Sequence, residues 1–138
     1  MAIRKIPPET TVFHFYNANP ANKRTGDCVI RAISLATGKS WEQVLSGLYV
    51  CAIQTKDAPN GRETFDKYLK DLGWMKMPQP RKKNNKKYTI AEFCKQIAKQ
   101  DVKYVLSVAH HVVCVNECKA WDIWDCTDLT VGNYWYKE

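Results

Sequence analysis

The spacing of apolar residues along the chain changes from a helical to a strand-like pattern close to Tyr104. Before that point, apolar side chains recur every three or four residues in four segments, which predicts four helices. After it, short runs rich in Val, Tyr and Trp predict strands, with one further short strand near the N-terminus. Because helices come first and most strands come last, the sequence indicates an α+β domain rather than alternating βαβ units.

Capping residues and glycines set the bounds of the predicted helices. Asp27 is a suitable N-cap for a first helix that begins at Cys28 and ends at Gly38. Capping boxes that begin at Ser40 and Thr89 predict the starts of the second and fourth helices. The predicted helices cover residues 28–38, 41–53, 65–72 and 90–97, and the predicted strands cover 11–16, 104–108, 111–115, 121–126 and 131–136.

Length and composition favour one domain over residues 1–138, with 45% apolar residues for a core. The charged N-terminus is not followed by the apolar segment of a secretory signal, and no run approaches the ~18 apolar residues of a membrane span. We therefore expect a cytoplasmic protein that does not contact a membrane and whose six cysteines stay reduced. Three of them, Cys51, Cys94 and Cys114, are expected to be small buried residues.

The positive charge of the chain is concentrated in one segment. The formal net charge is +7, and five of the basic residues fall within residues 81–87. A local run of this kind is typical of a solvated loop, but it also permits contact with nucleic acid or an acidic partner. Neither zinc-finger spacing nor an aromatic RNA-binding motif accompanies it in the sequence.

Cys28 is the residue that most strongly suggests chemistry. It is predicted to lie in the first turn of a largely buried helix whose charge is little more than Arg31. The amides and dipole of a helix N-terminus favour a thiolate, so we expect the pKa of Cys28 to be lowered. Asp27 opposes this if its carboxylate faces the sulfur, but not if it caps the helix amides. The alternative is a structural cysteine beside an ordinary cap.

A histidine and a carboxylate fall on two consecutive predicted strands. His111 begins one strand, and residues 116–119 are predicted to form the turn into the next. A two- or four-residue loop there pairs Val113 with Asp122, which makes His111 and Asp122 diagonal neighbours on one face. A three-residue loop reverses the parity and puts Asp125 on that face instead. A histidine on an apolar strand is otherwise typical of a buried core or edge position.

Cys28, His111 and Asp122 are the residue types that nucleophilic catalysis by a thiol requires. A thiolate attacks a carbonyl, an imidazole transfers the proton, and a carboxylate fixes the imidazole tautomer. Backbone N–H groups at Cys28 and one side-chain donor would stabilise the oxyanion. These residues predict a cysteine hydrolase that acts on peptide or isopeptide bonds and needs no cofactor.

These residues resemble the papain-like cysteine peptidases, which have a nucleophilic Cys at the start of a central helix and a His and an Asn or Asp on a C-terminal sheet. Four segments also resemble small papain-like proteins of phages and Gram-positive bacteria: residues 17–20, 25–32, 111–113 and 122–125. The resemblance implies a papain-like α+β fold, with a helical N-terminal half and a Cys-bearing helix packed on a C-terminal antiparallel sheet. It also implies Cys28, His111 and Asp122 as catalytic residues and a peptide or protein as substrate.

The oxyanion donor departs from the family pattern. Papain-like peptidases place a Gln shortly before the catalytic Cys, and no Gln precedes Cys28. We expect Asn19 to take this role, with Asn17 and Asn22 as reserves, although Asn17 and Asn19 also suit a turn. The alternative function is a catalytically inactive papain-like protein that binds a protein or nucleic acid through its cleft or through residues 81–87.

A structural zinc site is a third interpretation. Its ligands would be Cys114, Cys118, Cys126 and one histidine, and the spacing of the first two cysteines is tolerable for zinc. However, strand parity sends Cys114 to the face opposite His111, and the sequence has no second close pair of ligands. The pattern therefore favours a protein without a metal.

Overall fold

The computed structural model describes residues 6–138, and the described residues form four helices and six strands. In chain order these are β1 (Phe13–Phe15), α1 (Cys28–Thr37), α2 (Trp41–Thr55), α3 (Arg62–Asp71), β2 (Met75–Met77), α4 (Ile90–Gln96), β3 (Tyr104–Val108), β4 (His111–Asn116), β5 (Lys119–Asp122) and β6 (Tyr134–Tyr136). The α+β class predicted from the sequence is confirmed. No helix within residues 6–138 is long and apolar enough to cross a bilayer.

The helix boundaries agree with the local signals in the sequence. Both predicted capping boxes form, with the Ser40 hydroxyl accepting from the Gln43 N–H and the Thr89 hydroxyl from the Glu92 N–H. Helix α1 ends at Gly38, whose φ of 77° gives the left-handed conformation that favours glycine after a helix. These ends are set by residues within one turn, which is why the sequence predicts them well.

The sheet differs from the wholly antiparallel arrangement that the sequence suggests. Its strand order is β1-β5-β4-β3-β6-β2, and the edge strand β1 pairs with β5 in parallel. Strand β2 was not predicted, and it pairs antiparallel with β6. Strand β5 stops at Asp122 instead of continuing to Cys126, and β6 begins only at Tyr134. Both edge strands are three residues long, so their sequence signal is short and their pairing partners are distant in the chain.

The sheet carries apolar side chains on both faces. Alternate residues of β3 and β4 contribute to two different core clusters, because successive side chains point to opposite faces. One cluster joins Val105, Val112 and Cys114 to helices α1, α2 and α3. The other joins Leu106 and Val113 to helix α4. Helix α1 packs mainly against β4, which fixes the start of α1 beside the start of that strand.

Candidate functional site

The three predicted site residues occupy ends of elements that lie at one end of the sheet. Cys28 is the first residue of α1, His111 is the first residue of β4, and Asp122 is the last residue of β5. Because β4 and β5 are antiparallel, the start of one lies beside the end of the other. The packing of α1 on β4 then brings the helix start to the same place.

The β4–β5 hairpin has a two-residue loop, one of the loop lengths that pair Val113 with Asp122. Asn116 pairs with Lys119, and both loop residues have positive φ, 53° at Glu117 and 59° at Cys118, as a tight hairpin turn needs. The resulting parity puts Asp122 beside His111, and Nε2 of His111 lies 2.5 Å from Oδ2 of Asp122.

Asp125, the reserve candidate for the carboxylate, has a different position. It is exposed, and its Oδ1 accepts hydrogen bonds from the N–H and the hydroxyl of Thr127. The carboxylate of Asp125 therefore closes a local turn after β5, while that of Asp122 contacts the imidazole.

Cys28 is partly exposed, and its surroundings favour the thiolate. Burial by itself raises the pKa of this thiol. The nearby His111 ring and Val112 N–H, together with the positive charges of His111 and Arg31, outweigh that effect and hold the pKa below its ordinary value of 9.0. The other half-buried thiol, Cys118, has its pKa raised by burial and donates to the Ala98 carbonyl.

His111 has the complementary shift. Burial lowers the pKa of its imidazole, but the hydrogen bond with Asp122 and the nearby thiols of Cys126 and Cys28 raise it well above the ordinary 6.5. Since Nε2 is engaged by Asp122, Nδ1 is the ring nitrogen free to exchange a proton with a thiol. The Trp124 ring contacts the imidazole at a centroid distance of 4.9 Å.

Arg31 joins Asp122 to a second buried carboxylate. Its Nη1 donates to Oδ1 of Asp122 at 2.8 Å, and its Nε donates to Oδ1 of Asp27 at 2.8 Å. All three residues are buried, with exposures of 6% for Arg31, 4% for Asp27 and 1% for Asp122. A chain of buried charges thus runs from Asp27 to the imidazole of His111, and it fixes the carboxylate on which that imidazole depends.

The expectation that Asp27 caps α1 with its side chain is wrong. Asp27 occupies the N-cap position but makes no side-chain cap hydrogen bond. Its Oδ2 accepts instead from Nδ2 of Asn19 at 2.9 Å and from Nε1 of Trp41 at 3.0 Å, while Oδ1 accepts from Arg31. The carboxylate is therefore neutralised away from Cys28, and it does not occupy the first-turn amides of α1.

Asn19 has a positioning contact in place of the free amide that an oxyanion donor needs. Besides donating to Asp27, it accepts on Oδ1 from the N–H groups of Ala21 and Lys23. Asn19 is 7% exposed and is not among the residues that line the cleft beside Cys28. Asn17, a reserve candidate, donates to the Lys23 carbonyl and to the side chain of Asn22, the other reserve. All three asparagines thus stabilise the loop before α1.

A cleft of about 420 Å³ opens beside Cys28 and His111. Helix α3 supplies Arg62 and Phe65 to its wall, and β3 supplies Ser107. We name this space the Cys28 cleft. It gives an external molecule access to the sulfur.

The zinc set proposed from the sequence is not assembled. Cys114 is fully buried in the core beneath α1, and Cys118 lies on the β4–β5 turn. A different group is close: the ligand atoms of His111, Asp122 and Cys126 lie within 4.8 Å of one another. These three could supply ligands, but His111 and Asp122 bond directly to each other, and Cys126 donates to Asp122 at 3.6 Å. The donors satisfy one another rather than surrounding a vacant position.

Sequence reasoning missed two residues of the site, Arg31 and Arg62. For Arg31 a signal was present: a single cation in an otherwise apolar, buried helix requires a buried partner. The sequence does not show that Asp122 is this partner, because the two residues are 91 positions apart in the chain.

The chain shows no significant match to a known protein family, a curated protein or a solved structure.

Proposed function

We propose that this chain is a cysteine hydrolase of the papain-like type, with Cys28 as nucleophile, His111 as its base and Asp122 as the residue that orients the imidazole. The observation that carries the proposal is the 2.5 Å bond between Nε2 of His111 and Asp122 beside the thiol of Cys28. A free imidazole nitrogen, a thiol of lowered pKa and an open cleft are the parts that acyl transfer to sulfur needs. Peptide or isopeptide bonds are the proposed substrates.

The first step forms an acyl-enzyme. The thiolate of Cys28 attacks the carbonyl carbon and forms a C–S bond, and the His111 imidazolium gives its proton to the departing amine as the C–N bond breaks. Asp122 keeps Nε2 protonated throughout, so Nδ1 alone exchanges the proton. Arg31 holds Asp122 in place for this purpose.

The second step returns the free enzyme. The neutral imidazole of His111 takes a proton from water, the hydroxide attacks the thioester carbon, and the C–S bond breaks to give a carboxylic acid and the Cys28 thiolate. The developing oxyanion of each step would be stabilised by the backbone N–H groups that open α1, which no side chain caps.

Alkylation by iodoacetamide tests the nucleophile. At neutral pH the peptide that contains Cys28 should be carboxamidomethylated faster than the peptide that contains Cys118, because both thiols are half-buried and only Cys28 has a lowered pKa. Cys118 is therefore the internal control. Quantification of each peptide by mass spectrometry gives the two rates. Equal rates at Cys28 and Cys118 would remove Cys28 from the mechanism.

A substrate screen completes the test. Unlabelled protein should cleave one or more members of a fluorogenic peptide and isopeptide library, and the Cys28→Ser variant should cleave none of them. Thermal unfolding of both proteins checks that the substitution leaves the fold intact. Equal hydrolysis by the wild type and the Cys28→Ser variant would contradict the proposal.

A second candidate function, binding of nucleic acid without catalysis, is supported by the basic segment. Residues 81–87 form a small hairpin closed by pairing of Arg81 with Lys87. Lys82 is neutralised by Glu92, whereas the other four basic side chains of the segment are exposed. Affinity that falls steeply with rising salt would support phosphate contacts, and a flat salt response would exclude them.

A further inference from the structure

The wall of the Cys28 cleft carries a positive charge. Arg62, at the start of α3, lines the cleft, and its Nη2 donates to the hydroxyl of Ser107 at 3.1 Å. Ser107 is 3% exposed and lies in β3 at the centre of the sheet. This hydrogen bond draws a long, flexible side chain across from α3 and holds its guanidinium at the cleft.

Arg62 forms no ion pair within the part of the chain that the structure describes. Among residues 6–138, none of those that line the cleft is acidic. The nearest acidic side chain along the chain before it, Asp57, accepts from the Ala58 and Glu63 N–H groups and stabilises the start of α3. One bond to Ser107 leaves most of the five guanidinium N–H donors free.

We propose that Arg62 is a specificity residue that binds a carboxylate of the substrate, so that the Cys28 cleft takes acyl compounds with a carboxylate close to the bond that is cleaved. This proposal rests on the hydrolase function proposed above. A guanidinium fork matches a carboxylate with two parallel hydrogen bonds. One guanidinium also balances the single negative charge of a carboxylate, whereas a phosphate group carries close to two.

Matched pairs of thiol reagents test this without knowledge of the substrate. Iodoacetate and iodoacetamide react at the same carbon and differ in one carboxylate. The rate constant for iodoacetate divided by that for iodoacetamide at Cys28 therefore measures whether the cleft favours a negatively charged reagent. In Arg62→Gln this ratio should fall by about fivefold or more, the effect of losing one partly exposed charged hydrogen bond. Lys67→Gln is the control, because it removes the same charge from the same helix outside the cleft lining.

A second variant separates the charge of Arg62 from its geometry, and a longer reagent pair varies the distance between the carboxylate and the attacked carbon. Arg62→Lys keeps the charge but lacks the fork, so its ratio should lie between those of the wild type and Arg62→Gln. Maleimidopropionate and N-ethylmaleimide place the carboxylate several bonds from the attacked carbon. If Arg62→Gln lowers the ratio of charged to neutral reagent more for the haloacetate pair, the substrate carboxylate is a terminal one. If it lowers the ratio more for the maleimide pair, the carboxylate belongs to an acidic side chain of the substrate.

The outcomes separate the two proposals. A ratio unchanged in both Arg62 variants, or lowered equally by Lys67→Gln, overturns the role of Arg62 while leaving Cys28 as nucleophile. Iodoacetamide labelling of Cys28 no faster than that of Cys118 contradicts the hydrolase instead. In that case the Arg62 ratios still report whether the cleft binds a carboxylate.

Discussion

Replacing Arg31 by methionine tests the buried charge network directly. Methionine keeps an unbranched apolar chain in the space of the arginine stem and removes only the charged head. The guanidinium now bridges the carboxylates of Asp27 and Asp122, at 2.8 Å to each. Its removal leaves two buried carboxylates without their shared cation.

The expected loss of stability follows from the burial of these groups. Removing one partner from a buried ion pair costs about 3–5 kcal/mol, chiefly because the remaining charge stays desolvated. The side chain of Arg31 is 7% exposed and that of Asp122 is 2% exposed, so solvent does little to screen the carboxylates that lose this cation. Against a total stability of about 5–15 kcal/mol for a domain of this kind, Arg31→Met should be close to unfolding.

Urea denaturation at pH 7, followed by tryptophan fluorescence, measures this loss. Lys67→Met is a matched control, since Lys67 and Asp71 form an ion pair of the same helical spacing in which the side chains are 36% and 54% exposed. That control should change the free energy of unfolding by less than about 1 kcal/mol. The double variant Asp27→Asn, Arg31→Met should be more stable than the sum of the single variants predicts, because it removes one of the orphaned carboxylates.

The stability that the Asp122 carboxylate contributes depends on pH. Burial raises the pKa of Asp122, but its bonds to His111 and Arg31 outweigh this and hold the pKa below the ordinary 3.8. Its contribution to stability is therefore present above pH 3.8 and lost as pH falls through the lower folded pKa. The difference between wild type and Arg31→Met should shrink in the same range. A loss at pH 7 no larger than that of Lys67→Met would refute the buried network.

Three further predictions concern the site, the helix packing and the basic hairpin. Asp122→Asn should slow alkylation of Cys28 at pH 7, because the pKa of the thiol rises when the positive charge of the His111 ring loses its support, whereas the exposed Asp125→Asn should not. Gly47→Ala should destabilise the fold by about 1–3 kcal/mol in urea, because a Cβ there meets the Tyr68 ring at 2.2 Å; no loss would mean that the ring moves freely. Neutralising exposed lysines of residues 81–87 should flatten the salt dependence of any nucleic-acid binding, and an unchanged slope would place the contacts elsewhere.

The parts of the fold that the sequence predicts are those set by neighbouring residues. The capping box at Ser40, the glycine at residue 38 and the alternation along β4 act over a few residues, and each is found where the sequence predicts it. The contact between His111 and Asp122 was the first of two alternatives that the sequence left open, and the two-residue loop of the hairpin decides between them.

The parts that sequence reasoning missed depend on distant segments. Asp27 looks like an ordinary cap until Arg31 and Trp41 are seen to compete for its carboxylate. The three-residue strands β1 and β2 gain their pairing from partners far along the chain, so no local pattern gives their place in the sheet. The role of Arg62 depends on Ser107, which lies 45 residues away.

The proposed mechanism depends on a Cys28 thiolate paired with the His111 imidazolium. The ultraviolet absorbance of the thiolate, titrated in the wild type and in Cys28→Ser, measures this directly, since the difference between the two curves belongs to one sulfur. We expect the difference to appear at a pH below 9.0. A difference that titrates at or above 9.0, together with the five other thiols, would contradict it.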